Sequence, residues 1–468
     1  MPVAFAGRTC RIWRAALIMA LFGGLAQAQT AESPAELSRR VTQLADLVEK
    51  LQARVDELEA KAGIPSPPAP AVPIPAAAVA PQPPATPVVP LPPTGSMLLG
   101  GTTVNFLFDG YYGFNFNNPI GRVNLLRAYD VTSNAFSLNQ ADLVFENAPD
   151  LTHDKRFGLR LDLQFGQATA TLQGNASNEP RPDVYRNIFQ AYGTYILPVG
   201  SGLTVDFGKW ASSLGIEGNY TKDQMNYSRS YLFDFLPFYH MGARVNYKLS
   251  DAVGLNYWIT NGTQQTEPFN GFKDQMFGFT VQPSKSIAWT MNYYLGQEHA
   301  DVEFLPNYTG TSLPTEQGLA FQPIPNAPSG KLHIFDSYFT WQASPNLSFA
   351  VEGDYVIERL YTFSAPSHTT GGAAYVRYQF TPKFAIAARS EYLSDRGGLF
   401  SGTTQALKET TFTVERRITD GFLLRAEWRR DFSNHAYFLT DALGILKKEQ
   451  NTATMGVVWW FGGKQGIW

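Results

Sequence analysis

Cysteine is all but absent. The sole residue, Cys10, lies near the start of a 468-residue chain, so disulfides and thiolate metal sites are excluded from everything after it. Charge is scarce too. Asp, Glu, Lys and Arg together make up 16%, against about a quarter in an ordinary globular domain. The formal net charge of −3 is too close to neutral to favour nucleic acid, and no such partner is expected. No stretch of the sequence reaches the ~18 consecutive apolar residues that would indicate a membrane-crossing helix. Catalytic signatures are missing as well. Six His residues are scattered without HExxH or other metal-ligand spacing, and neither GxSxG nor a Gly-rich phosphate loop occurs. No enzyme activity, cofactor or metal is expected.

What fills the shortfall in charge is Phe, Tyr, Asn, Gln, Thr and Gly, with aromatics at 14%. That mix suits strands with one apolar and one polar face. Before those strands begin, three other segments are legible. Residues 1–28 read as a secretory signal: Arg8, Arg11 and Arg14 form the positive region, Ala15–Leu25 the apolar one, and Ala26-Gln27-Ala28 the cleavage site. Residues 33–63 read as a coiled-coil helix. Leu37, Leu44, Leu51 and Leu58 recur every seven residues, with Val41, Val48 and Val55 between them. Ser33 and Pro34 start the helix, and Gly63 and Pro65 stop it. Arg54, Val55, Leu58 and Glu59 resemble a short trimerisation motif, in which an Arg–Glu pair bridges neighbouring helices; Leu47 widens the apolar seam in the same direction. Residues 64–95 are Pro/Ala-rich and read as an extended linker of about 3.1 Å per residue.

From residue 100 to 468 the period is that of strands. In Leu159–Phe165 the leucines and Phe165 point one way, while Arg160, Asp162 and Gln164 point the other. Leu424, Ala426 and Trp428 oppose Arg425, Glu427 and Arg429 in the same manner. About 16 strands are expected, beginning near residues 102, 134, 155, 187, 202, 238, 252, 273, 286, 331, 346, 369, 383, 408, 421 and 451. Their connections alternate between tight turns, such as Ser250-Asp251 and Thr381-Pro382, and long stretches, such as 117–133, 167–186 and 298–330. A sandwich has no reason to alternate so regularly, whereas an outer-membrane barrel does. Aromatics near strand ends, Phe114/Phe116, Tyr192/Tyr195 and Trp459/Phe461, are expected in the interfacial girdles. The fold expected is an all-β transmembrane barrel of antiparallel strands, preceded by the coiled-coil helix and the linker. An even strand count puts both barrel ends, and the N-terminal segment, on the periplasmic side.

Three stretches carry a family resemblance: DGYYGFNFNNP (Asp109–Pro119), LRAYDVTSNAFSLNQADLVFENAP (Leu126–Pro149) and NYSRSYLFDFLPFYHMGARVNY (Asn226–Tyr247). They resemble the OmpL-like β-barrel porins. The resemblance implies a pore-forming outer-membrane protein and names no transported solute.

Inward positions are expected for the bases Arg160, Arg244, Lys248, Arg377, Arg389, Arg417, Arg425 and Arg429, and for the acids Asp109, Asp142, Asp162, Glu352, Asp354, Glu391, Glu415 and Glu427. Charges facing one another across a pore set its selectivity. Arg389/Glu391, Glu415/Arg417 and Arg425/Glu427 fall on successive strands and are expected to pair along the wall. Residues 211–237 form the third outer loop and the candidate constriction, carrying Glu217, Lys222, Asp223, Arg229 and Asp234. In the last strand Met455, Val457, Trp459 and Phe461 are expected to face lipid, and Thr454, Gly456, Val458 and Trp460 the lumen. Gly456, Trp459 and Phe461 resemble the C-terminal signal read by the barrel-assembly machinery; residues follow it, so either Phe461 or Trp468 is the one recognised. The function expected is passive diffusion of small hydrophilic solutes through a trimeric porin with a periplasmic stalk that reaches toward peptidoglycan. The alternatives are an envelope-tethering barrel whose pore is plugged, and a soluble exported sandwich.

Overall fold

The computed structural model describes residues 101–173, 179, 182–304 and 321–464. The signal peptide, coiled-coil helix, trimerisation residues Arg54, Val55, Leu58 and Glu59, the linker and Trp468 lie outside the described residues. Sixteen strands form one closed antiparallel barrel. They are β1 (Thr103–Asn115), β2 (Ala135–Asn147), β3 (Phe157–Phe165), β4 (Ile188–Leu197), β5 (Leu203–Ala211), β6 (Tyr239–Lys248), β7 (Val253–Thr260) and β8 (Asp274–Ser284). The second half is β9 (Ile287–Gly296), β10 (Leu332–Ser344), β11 (Leu347–Glu358), β12 (Ser367–Thr381), β13 (Phe384–Arg396), β14 (Gln405–Thr419), β15 (Phe422–Ser433) and β16 (Glu449–Gly462). Each begins within three residues of the position that the alternation of side chains marks. β16 pairs with β1, Trp459 opposite Phe108 and Phe461 opposite Phe106, so no unpaired edge remains. Phe106 and Phe461 stack across that seam with ring centroids 4.6 Å apart.

The two faces of the wall separate by polarity. Phe108, Leu159, Phe207, Phe277, Val351, Phe412, Met455 and Trp459 are exposed on the outside. The alternate positions are Asn105, Asp109, Gln140, Asp162, Gln164, Arg389, Glu391, Arg425 and Glu427, all buried inside. A water-soluble sandwich has the reverse polarity. An apolar exterior of this extent requires lipid as its solvent, and closure lets every backbone group pair without water. Tyr192 departs from the expected girdle. Three residues from Tyr195 in a strand, it must point the opposite way. Tyr195 is on the outside, whereas the Tyr192 ring lies 5.1 Å below the Arg244 guanidinium inside.

Connections sort by barrel end. At one end β6 and β7, β8 and β9, β10 and β11, β12 and β13, and β14 and β15 are joined by turns of a few residues. The opposite end carries the long loops, including 116–134, 212–238, 261–273 and 434–448. Thr103 and Gly462, the barrel's two ends, both lie at the short-turn end.

Candidate functional site

The loop 212–238 between β5 and β6, here L3, does not stay outside. It folds into the lumen. Its local form is set by two short turns: a 3-10 turn at Thr221–Asp223 and one helical turn at Tyr231–Phe235, where Ser230 Oγ caps the helix by accepting from Phe233 N–H at 3.0 Å. Arg229 staples the loop to itself, donating to the carbonyls of Gly218 (3.0 Å), Tyr227 (2.8 Å) and Asn219 (3.0 Å). Its guanidinium also lies 4.4 Å from the Tyr129 ring centroid. The loop's apolar side chains enter the barrel's interior clusters. Tyr220 and Tyr227 pack with Leu107, Val144 and Val458, and Tyr231 and Leu232 pack with Ala373, Leu393 and Leu407.

Wall charges then clamp the loop backbone. Glu427 accepts from Tyr227 N–H at 2.6 Å and Ser228 N–H at 2.9 Å. Glu391 accepts from Tyr231 N–H at 2.7 Å and Leu232 N–H at 2.8 Å. Arg425 donates to the carbonyls of Thr221 (2.7 Å), Gln224 (2.5 Å) and Asn226 (3.2 Å). Asp109 accepts from Thr221 Oγ1 at 2.7 Å and Tyr227 O–H at 2.8 Å. Charge-assisted bonds of this kind contribute about 1.5–3 kcal/mol each, so their sum fixes L3 to the wall. Space for it comes from small residues. A Cβ on Gly456 would sit 2.4 Å from the Tyr227 ring, and one on Gly371 2.6 Å from Leu232.

The wall charges form a network across neighbouring strands, in which Arg389/Glu391, Glu415/Arg417 and Arg425/Glu427 take partners other than one another. Arg389 bonds Glu409 on β14 (3.2 Å) and Glu217 of L3 (2.7 Å), not Glu391, whose oxygens hold L3. Glu415 takes Arg425 (2.8 Å) and Arg377 (2.9 Å), not Arg417. Arg429 pairs with Asp431 at 2.8 Å and donates to the Arg229 carbonyl. Arg160 pairs with Asp162 at 2.9 Å, and Tyr220 O–H of L3 donates to the same Asp162. Arg417 lies 6.0 Å from the Trp460 ring near the short-turn end. Lys248 sits at the short-turn rim, mostly exposed, beside Asp251 at 2.6 Å. Glu352 receives Ile216 N–H of L3 at 3.3 Å, and Asp354 lies beside it on the inner face of β11.

Among the loop residues, Glu217 accepts from Ser230 N–H at 2.6 Å. Lys222 pairs with Asp223 at 2.8 Å and reaches down to 5.9 Å from the Trp460 ring; burial pushes its ammonium below the usual lysine range. Asp234 is buried on the helical turn. In β16, Thr454, Gly456, Val458 and Trp460 face in, and Met455, Trp459 and Phe461 face out and are exposed. Sequence reading passed over Asp336, Glu409, Asp431 and Arg127. The first three obey the same strand alternation as their neighbours and were within its reach. Arg127 lies in a loop, and nothing local foretells its 2.6 Å bond to Asp431.

L3 lies against β1–β3 and β9–β16, and at the long-loop end its Leu214 and Leu236 also pack with Trp210, Trp258 and Met276 of β5, β7 and β8. Toward the short-turn end the inner wall of β5–β8 is less covered: Arg244, Asn246 and Asn256 are only half-buried. There Arg244 donates to Asp206 at 2.7 Å. A cavity of about 360 Å³ toward the short-turn end has Thr204, Asn246, Asn256 and Thr280 in its lining.

Several solved outer-membrane protein structures are similar in fold to this chain at low identity. The outer membrane channel DcaP of Acinetobacter baumannii is 10% identical, with a TM-score of 0.49 over 77% of this chain and 97% of that one. The anion-selective porin of Comamonas acidovorans is 8% identical, with a TM-score of 0.48 over 77% and 99%. Pseudomonas putida OprB is 12% identical, with a TM-score of 0.48 over 77% and 93%. No curated protein matches the sequence. The profile of the family described as "Putative beta-barrel porin-2, OmpL-like" matches residues 101–461, from before β1 to the penultimate residue of β16. The chain belongs to the OmpL-like β-barrel porin family, whose members are outer-membrane porins.

Proposed function

We propose that the barrel is a passive channel for small hydrophilic solutes, with L3 as a fixed constriction. The observation that carries this reading is the uneven cover that the loop gives the wall. Clamped by Glu391, Glu427 and Arg425, L3 leaves the short-turn half of the polar wall of β5–β8 only half-buried. Arg389, Arg425 and Arg429 are buried in the clamps and are spent on holding the loop. Selectivity then rests on the less buried Arg244 and Arg377, with Asp206 beside Arg244 and Glu415 beside Arg377. Steps of single-channel conductance in planar bilayers test the channel; folded protein that inserts and passes no current overturns it.

The short-turn end is the periplasmic one in this reading, because tight turns lie there in bacterial barrels. Both barrel ends emerge from it, so residues 33–63 hang in the periplasm, trimerise through Arg54, Val55, Leu58 and Glu59, and reach toward peptidoglycan across the linker. Deleting residues 29–95 and finding an unchanged trimer on native gels sinks that role. Gly456, Trp459 and Phe461, with Trp468 beyond, serve the assembly machinery. The second reading, a tethering barrel with a closed pore, draws on the number of bonds between L3 and the wall; the same bilayer recording separates it from the first.

A further inference from the structure

Most inward carboxylates have a cation or an L3 amide. Asp162 has Arg160, Glu409 has Arg389, Glu415 has Arg425, and Asp431 has Arg127. Glu391 and Glu427 hold loop N–H groups. Asp142 on β2 has neither, both its oxygens being buried without a hydrogen-bond partner, and one cluster of three carboxylates lacks any cation. Asp336 on β10 lies directly across from Asp354 on β11, and Glu352 is two residues along β11 on the same face. One oxygen from each lies within 4.8 Å of the others. All three residues are at least nine-tenths buried, and none forms an ion pair among the described residues.

Their hydrogen bonds are few. Glu352 accepts from Ile216 N–H at 3.3 Å and Tyr375 O–H at 3.4 Å. Asp336 accepts from Asn292 Nδ2 at 2.8 Å through one oxygen only. Its other oxygen and both oxygens of Asp354 are sealed from water with no donor in good hydrogen-bond geometry; Gly215 N–H of L3 is directed at Asp336, and Asp336 and Asp354 face each other. Asp354 is 4% exposed, so an unpartnered carboxylate is aimed into the cluster from within the wall. A buried, unpaired charge is costly unless it is neutralised.

We propose that Asp336, Glu352 and Asp354 form a divalent-cation site, suited to Ca²⁺, that fastens the root of L3 to the wall. Three hard oxygen ligands at this spacing match a cation held at about 2.3–2.6 Å, and the flexible coordination of Ca²⁺ suits a site assembled from two neighbouring strands. The location gives the site its consequence. Ser213 of L3 accepts from Asn292 Nδ2 at 3.4 Å and from Tyr338 O–H at 3.5 Å, and Ile216 donates to Glu352. The residues around the cluster therefore hold the first turn of the loop, and the charge state of the cluster decides how firmly.

The test uses the full-length protein in detergent, freed of lipopolysaccharide and stripped with chelator. CaCl2 is titrated by calorimetry, and thermal unfolding is followed with and without it at constant pH. One bound Ca²⁺ per chain and a raised unfolding temperature are expected. Asp354→Asn is expected to weaken binding at least tenfold and to remove the thermal shift. Asp336→Asn serves if that variant does not fold. Three results overturn the site: no Ca²⁺ binding by the wild type; binding undiminished in both variants, which places the ion elsewhere; or an unfolding temperature that responds to pH and not to Ca²⁺, which means that a shared proton neutralises the pair.

Discussion

Replacing Glu427 by Gln removes one charge and little volume, and it strikes the point where the wall grips L3. The carboxylate accepts from Tyr227 N–H and Ser228 N–H at 2.6 and 2.9 Å, and from Thr413 O–H at 2.6 Å. A glutamine offers one acceptor oxygen and an NH2 group, so one of the two loop amides must face a donor. One charge-assisted bond is lost, worth about 1.5–3 kcal/mol, and the survivor falls to the value of a neutral bond, about 1 kcal/mol. The loss totals ~3 kcal/mol, or about two decades in the local opening equilibrium. Hydrogen exchange of the Tyr227 and Ser228 amides in detergent reads that equilibrium directly. Exchange at both is expected to speed up by about 100-fold. The amides of Tyr231 and Leu232, held separately by Glu391, should change less, and those of β7 not at all. Rates within about threefold of wild type at Tyr227 and Ser228 would refute the idea that wall carboxylates hold the loop.

Gly456→Val should displace the Tyr227 ring, which a Cβ would approach to 2.4 Å. Overpacking costs about 1–3 kcal/mol, visible as a lower temperature for the shift in heat-modifiable gel mobility; an unchanged temperature counts against the close fit. Arg244→Gln takes a half-buried cation from the less covered wall, and the reversal potential in a KCl gradient should move toward cation preference. No movement means that solutes do not pass Arg244. Asp130, in the loop 116–134, has its pKa raised by burial from 3.8 to about 6, with Arg127 partly opposing. The folded loop thus binds a proton more readily than the unfolded one. Its stability therefore rises as pH falls from about 7 toward 4, by up to about 3 kcal/mol for a two-unit shift. Protection of amides 122–133 should increase from pH 7 to pH 5 once intrinsic rates are removed, and Asp130→Asn should flatten that dependence. A variant that keeps the wild-type slope assigns it to another group.

The sequence alone determined the strands and their faces. A strand's two faces alternate with a period of two, and solvent differs across the wall, so Arg160 and Asp162 against Leu159 and Leu161 already specify inside and outside. The same local rule placed Gly456 and Trp460 inward and Met455 and Trp459 outward. By the same rule Tyr192 and Tyr195, an odd number of residues apart in one strand, face opposite sides of the wall. Loop lengths likewise foretold the two ends of the barrel. Partnership was decided by the tertiary structure. That Arg389 chooses Glu217 and Glu409 over Glu391, that Arg127 reaches Asp431, and that Gly456 is small for the sake of Tyr227 all depend on which strands become neighbours and on a loop passing through the lumen. Asp336 meets Asp354 across a hairpin whose register the tight turn between Ser344 and Leu347 sets, bulge included. These contacts span up to three hundred residues of chain, and a side chain's partner at that separation is fixed by barrel closure and by the path of L3.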